Sequence, residues 1–462
     1  MTSSTARSTS PGIWSPQFLW TTIGSNALIF LGAFETLAVT TIMPIISRDL
    51  DGESLYSVAF SGTLAASVIG MVVAGGWADR RGPTRPLLTS IAVFLVGLMV
   101  SGTATSMEFF IVGRFMQGLG SGAVGVAIYV VVARLYPADL HPKIFGAFAA
   151  AWVLPSMIGP PAAGVVADFF TWHWVFLGVA VLMVLASTLL IPALRLLRTT
   201  STSPTDDPAS HTNIPSPINV LWAIAVAAGI LGISLGGDSG GPLALPIVAI
   251  AVIVVVVALR PLLPKGTLLA RRGLPATVLL RGGVAAGFYA SEIYLPYLLN
   301  ERYGLPPWLA GLILTVAAIS WAIGSAIQGR LGDRLSHDRA LRLGATLLVI
   351  GLGTVALTAL LLLSPFVAGA AWMVCGFGMG LMFPRMSTLA LAYSTVGNQG
   401  FNSAAMSIAD AAGGATAIAF TGLLFVAFGD ADGQFSFVAA LALTTAIALA
   451  SVPVAFRSRA NR

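Results

Sequence analysis

The sequence is nearly devoid of cysteine, short of histidine and poor in charge, and each shortage removes a class of protein. One cysteine, Cys375, excludes an internal disulfide framework and any cysteine-based metal site. Four histidines, scattered along the chain, offer no ligand spacing, so no metal is expected. Charged residues make up 9% of the 462 residues, against about 25% in soluble globular proteins. A soluble chain so poor in charge could not coat its own surface, and a disordered chain would be polar.

Apolar residues are abundant, at 56%, and they are grouped. Runs near the length needed to cross a bilayer, about 20 residues, lie at 19–44, 56–77, 86–105, 109–133, 143–167 and 172–193. Two follow at 217–236 and 243–259, and six more at 274–298, 308–329, 341–363, 367–393, 401–427 and 434–456. The order six, two, six predicts an all-α polytopic membrane protein. Its expected divisions are a tail (1–18), a six-helix bundle (19–193), a linker (194–216), two extra spans (217–259), a basic loop (260–273), a second bundle (274–456) and a short tail (457–462). A re-entrant hairpin at 217–259 would fit the charges equally well. The first tail has no short apolar core with a small-residue cleavage site, so no cleaved leader is expected.

The net charge of +6 could suggest a nucleic-acid partner, but its distribution says otherwise. With the N-terminus inside and every run crossing once, outer loops hold only Arg48 and Arg302, and Arg114, Arg281 and Arg385 lie within runs. The other 19 of the 24 Lys and Arg fall on the inner side, as the positive-inside rule requires. Both termini are therefore expected in the cytoplasm, and the partners expected are the bilayer and a small molecule, not nucleic acid.

The two sixes carry a repeat. Gly75-Gly-Trp-Ala-Asp79-Arg80-Arg-Gly82 follows the second run, and Gly329-Arg-Leu-Gly-Asp333-Arg334 follows the second run of the last six. Both fit G-x-x-x-D-R at the same place in each half. Glycine lets two helices approach closely, and the Asp sits where it can cap a neighbouring helix and accept from arginines. Such a latch, on one face only, can hold one conformation of a two-state protein.

These residues resemble the major facilitator superfamily. Gly75, Asp79, Arg80 and Gly82 match its loop 2–3 signature, with departures at Pro83 and Thr84, where basic residues are usual. Arg114-Phe-Met-Gln117-Gly118-Leu-Gly120 is similar to the run-4 motif of proton-coupled members. Gly146, Pro155, Gly159, Pro160 and Gly164 resemble the antiporter signature of run 5, with departures at Pro155 and Ala163. Thr171-Trp-His-Trp-Val-Phe176 is similar to the opening of run 6 in drug exporters, and Phe34-Glu35-Thr36 through Pro44 to an acidic motif of run 1. The resemblance, with two extra spans, is to the fourteen-span drug–proton antiporters. It implies the major facilitator fold, with two six-helix bundles and alternating access, in a bacterial cytoplasmic membrane. It also implies protons as the coupling ion, no bound cofactor, and a monomer as the working unit.

An ionisable side chain in hydrocarbon costs at least about 2.5 kcal/mol on insertion scales, so it is a functional candidate by default. Six are present: Glu35, Arg114, Arg281, Glu292, Arg385 and Asp410. At about 1.5 Å per residue, Glu35 and Arg114 share the outer half, and Arg385 and Asp410 share the inner half; these two pairings are expected. Arg281 and Glu292 are eleven residues apart, which returns them to nearly one helix face. A carboxylate that loses its arginine when a cavity rearranges changes its proton affinity. Glu35 is expected to carry the exchanged proton, with Arg114 tuning it and Asp410 or Glu292 assisting. Phe34, Tyr129, Tyr289, Trp321 and Phe377 are candidate wall aromatics for lipophilic cations; core or lipid packing explains each as well.

No G-x-x-x-x-G-K-[ST] loop is present, which argues against ATP-driven transport. No G-x-S-x-G or H-E-x-x-H is present either, so no enzyme is expected. The expected function is export of lipophilic, cationic drugs in exchange for protons. A proton-coupled exporter of one metabolite, siderophore, lipid or self-made antibiotic is the alternative.

Overall fold

The computed structural model describes residues 12–52, 55–192, 194, 217–238, 244–305, 307–428 and 434–459. The linker at 195–216 and the outermost parts of both tails lie outside the described residues. Among the described residues all regular structure is helical. The α-helices are α1 (Pro16–Asp49), α2 (Tyr56–Arg81), α3 (Thr84–Gly102), α4 (Met107–Leu135), α5 (His141–Ala150), α6 (Val153–Phe169) and α7 (His173–Thr188). Then come α8 (Pro217–Asp238), α9 (Ala244–Leu262), α10 (Leu274–Glu301), α11 (Pro307–Leu331), α12 (His337–Leu361), α13 (Pro365–Ala392), α14 (Gln399–Ala427) and α15 (Gln434–Ala455).

Among the described residues eleven stretches are long and apolar enough to cross a bilayer, and His173–Thr188 and Ile218–Ile233 are shorter apolar helices. Helix α10 is long enough but carries Arg281 and Glu292 within it. The protein is thus a multi-pass membrane protein. Local signals set several helix starts. Ser106 caps α4 by accepting from the Phe109 N–H at 3.3 Å, and Ser336 caps α12 by accepting from the Arg339 N–H at 3.4 Å. Proline opens α1, α10 and α13, where its missing N–H costs nothing.

The fifth run is not one helix. Helix α5 ends at Ala150, residues 151 and 152 form a turn, and α6 starts at Val153. Pro155 supplies no N–H to the Ala151 carbonyl, and its ring crowds that carbonyl, so the ladder breaks there.

Two hydrophobic cores organise the molecule. One is built mainly from α1, α3, α4, α5 and α7, with Phe110 and Phe176 fully enclosed. The other is built mainly from α10, α12, α13, α14 and α15, around Trp372 and Met382, and extends through α8 and α9 to Val68 and Val72 of α2. Glycine brings the helices together in both halves. A Cβ on Gly118 of α4 would stand 2.1 Å from the Thr63 carbonyl oxygen of α2, and one on Gly380 of α13 the same distance from that of Trp321 in α11. Only glycine permits that approach.

The halves meet along two seams. At one, α2 packs on α14; at the other, α5 packs on α11 and α13. The extra pair is not placed symmetrically. Helix α8 lies against α2 and α14, and α9 packs on α8 and touches α14. The pair therefore covers the α2–α14 seam and leaves the α5–α11 seam bare.

Candidate functional site

Buried ion pairs occupy both halves. In the first, Arg114 of α4 donates through Nη1 to Glu35 of α1 and to the Gln117 side-chain oxygen, one turn along α4. Each ion-pair side chain is 5% exposed. The Gln117 amide nitrogen donates in turn to the Gly97 carbonyl at 3.2 Å and to Ser101 Oγ at 3.1 Å, both on α3. The glutamine thus ties the arginine to a third helix. Arg114 Nε is buried with no hydrogen-bond partner among the described residues.

In the second half Arg281 of α10 binds Asp410 of α14. Nε donates to Oδ2 at 3.0 Å, and Nη2 lies 2.9 Å from the same oxygen. Nη1 donates to the Phe383 carbonyl and to Ser387 Oγ, both at 3.2 Å, and the guanidinium lies 3.2 Å from the centre of the Phe383 ring. Asp410 Oδ1 is buried and has no hydrogen-bond partner among the described residues. Each pair therefore has one buried polar atom left over, Arg114 Nε in the first half and Asp410 Oδ1 in the second, among the described residues.

The expected Arg385–Asp410 pairing is corrected by this geometry. Arg385 instead donates through Nη2 to the carbonyl oxygens of Gln328 and Gly332, both at 2.7 Å, at the end of α11. Asp410 goes to Arg281 because α10 and α14 are in backbone contact: a Cβ on Gly413 would stand 2.4 Å from the Gly282 carbonyl oxygen. Height in the membrane matched Arg385 to Asp410; the side of the helix decided otherwise. Glu292 lies eleven residues beyond Arg281 on α10 and is half-buried.

The aromatic candidates divide. Phe288, Tyr289, Trp321 and Phe383 form one cluster: Phe288 meets Tyr289 and Trp321 edge-on at 5.9 and 5.3 Å, and Trp321 meets Phe383 at 5.2 Å. Trp321 Nε1 is buried without a partner among the described residues. Tyr129 of α4 packs on Phe145 and Phe148 of α5, and it lies close enough to Arg281 and Tyr289 to interact with them electrostatically across the halves. Phe34 precedes Glu35 and stacks with Phe30. Phe377 is half-buried on α13, apart from the ring cluster just described. Phe383 and Ser387 escaped the sequence reading. A phenylalanine among 24 and a serine carry no mark, although their spacing of four does put them on one face of α13.

The latch residues lie where the halves join. Asp79 at the end of α2 accepts from the Gly400 N–H (2.6 Å) and the Phe401 N–H (2.9 Å), in the first turn of α14. A carboxylate there satisfies two unpaired donors and faces the positive end of the helix dipole. Gly75 allows this, since a Cβ on it would stand 2.6 Å from the Gly400 carbonyl oxygen. Arg134 donates to the Ala78 carbonyl at 3.2 Å. Gly82 has a φ of 76° and closes the helix in the left-handed region, while Arg80 and Arg334 are exposed. On the other seam the Gln328 amide donates to the Pro142 carbonyl at 2.9 Å, and Gly329 lies against Lys143. The side chains of Asp333 and Pro160 lie outside those described. Of the run-5 glycines, Gly146 faces the Ser325 carbonyl of α11, Gly159 faces Phe34 and Leu37 of α1, and Gly164 faces open space.

Two six-helix halves that share a repeat, join at one end and bury an ion pair each define a transporter, not an enzyme. The chain belongs to the Major Facilitator Superfamily, whose family model matches residues 26–418. It is 28% identical over 372 residues to a protein named multidrug transporter MdtP from Bacillus subtilis, covering 79% of this chain and 67% of that one. It is 23% identical over 337 residues to one named multidrug efflux pump SdrM from Staphylococcus aureus, covering 71% and 73%. Among solved structures, the human organic anion transporter TETRAN superposes with a TM-score of 0.69 at 14% identity, over 94% of this chain and 98% of that one. The last likeness shows the fold alone.

Proposed function

We propose that this transporter exports lipophilic, cationic small molecules in exchange for protons across a bacterial cytoplasmic membrane. The observation that carries the reading is the buried Glu35–Arg114 pair, supported by the similarity to bacterial multidrug transporters. A carboxylate paired with a guanidinium keeps its charge; separated from it in a dry site, it takes up a proton. Glu35 is the exchanging acid in this reading, and Arg114 sets when it exchanges. Asp410 assists, since its free Oδ1 can hold a proton or face a cationic substrate. The aromatic cluster beside Arg281 and Tyr129 of the opposite half form the wall that a lipophilic cation leaves when the halves part. The latch end carries the arginine-rich loops and is the cytoplasmic end, so the shape described is closed inward. A proton moving inward down about 100 mV contributes about 2.3 kcal/mol. The two extra helices and the motif order support placement among fourteen-span drug–proton antiporters, working as monomers with no cofactor.

The test is transport by the purified protein in liposomes under an imposed pH gradient, with a fluorescent lipophilic cation. Wild type is expected to accumulate it, and Glu35→Gln to bind it without gradient-driven accumulation. Accumulation that survives in Glu35→Gln moves the proton to Asp410 or Glu292. No movement of any cation by folded protein sinks the multidrug reading and favours a single physiological substrate.

A further inference from the structure

The two lateral seams differ sharply. Under α8 and α9, between α2 and α14, lies a gap of about 20 Å³. At the bare seam, between α1, α5 and α11, a groove of about 920 Å³ opens sideways. We propose that this groove is a binding site for one anionic phospholipid of the cytoplasmic leaflet.

Three observations fit that ligand. The first is charge. Lys143 and Arg330 stand at one end of the groove, since α5 and α11 run antiparallel and Gly329 touches Lys143. Both are exposed, and neither has an ion-pair or hydrogen-bond partner among the described residues. Among the described residues no carboxylate lines the groove. A basic pocket between transmembrane helices at the cytoplasmic side suits a phosphate headgroup, which an arginine can hold bidentately. It repels the lipophilic cations of the proposed transport.

The second is the wall. Beyond the two cations the lining is mostly apolar, with Ile23, Phe30, Ala147 and Ala326 among it. Two of its polar side chains are engaged within the protein: Asn26 donates to the Thr22 carbonyl at 2.8 Å, and Ser325 to the Gly380 carbonyl at 3.2 Å. The third is length. Along α5 the lining runs from Lys143 to Ala150, a helical rise of about 10 Å, and it continues past the break to Leu154 of α6. One leaflet of hydrocarbon is half of about 30 Å. An acyl chain anchored by its phosphate at the basic end would therefore fill the groove along its length. Because α1 and α5 belong to one half and α11 to the other, such a lipid bridges the halves where they are closed.

The experiment is native mass spectrometry of the full-length protein released from nanodiscs of equal phosphatidylglycerol and phosphatidylcholine. Wild type is expected to retain one phosphatidylglycerol in preference to phosphatidylcholine. A Lys143→Gln/Arg330→Gln variant is expected to lose that preference by about tenfold or more, at about 1 kcal/mol per cation. Ala147→Leu, which fills the groove and keeps both charges, is expected to lose the bound lipid. Arg271→Gln, a basic-loop change outside the groove, is expected to leave retention unchanged, and the folding of each variant is checked by its thermal unfolding. Equal retention of both lipids by wild type overturns the proposal. So does a preference unaltered by both groove variants, or one reduced as much by Arg271→Gln.

Discussion

A guanidinium in hydrocarbon must be answered by its surroundings, and three arginines are answered in three ways. Arg114 has a carboxylate and an amide. Arg281 has a carboxylate, a carbonyl, a hydroxyl and a ring face. Arg385 caps the end of a helix through two carbonyls. The consequences of losing a partner differ accordingly. Removing one member of a buried pair strands the other, at about 3–5 kcal/mol. Arg281→Ala is therefore expected to lower the thermal unfolding temperature in detergent clearly. Arg281→Met with Asp410→Leu is expected to recover most of that loss, because the stranded charge is gone too. Stability of the double variant at or below that of Arg281→Ala would show that the pair is not the unit. At this scale the sequence was legible in part. The cost of burial singled out all six ionisable residues, and depth alone put Glu35 level with Arg114. Depth says nothing about which side of a helix a residue occupies, and Asp410 was assigned to the wrong arginine for that reason.

Helices in this protein are positioned by what their glycines leave out. A side chain on Gly400 meets the Gly75 carbonyl oxygen at 2.1 Å, whereas one on Gly164 meets nothing within 4 Å. Gly400→Val is expected to force α2 and α14 apart and to cost stability, whereas Gly164→Ala is expected to stay within about 0.5 kcal/mol of wild type. Equal effects by thermal unfolding would refute the close-approach argument. The elements themselves were largely legible, because stretches of about 20 apolar residues have few other uses. The break between α5 and α6 was not read from the apolar run, although Pro155 announced it. Hydropathy averages over a window and passes through a proline without notice. Nor did hydropathy reveal where α8 and α9 dock, since one apolar helix resembles another until its neighbours are known.

At the scale of the whole molecule, a carboxylate of one half meets a helix start of the other at one end. Asp79→Ala removes two hydrogen bonds that only the closed end makes, so it is expected to shift the population toward an end that is open. Spin labels at Arg81 and Val396, both exposed and on opposite halves, would report it. The native cysteine is buried and leaves little background. Wild type is expected to give a short distance, and Asp79→Ala a longer or broader one; identical distributions would remove the latch from the mechanism. The covering of one seam by α8 and α9 carries a consequence for the surrounding bilayer. Two bundles alone would present matching flanks to left and right. With one flank buttressed, the molecule acquires a front and a back in the membrane plane. Whatever arrives by lateral diffusion finds a bay in one direction and a wall in the other. A neighbouring protein could also rest against the wall without blocking the bay.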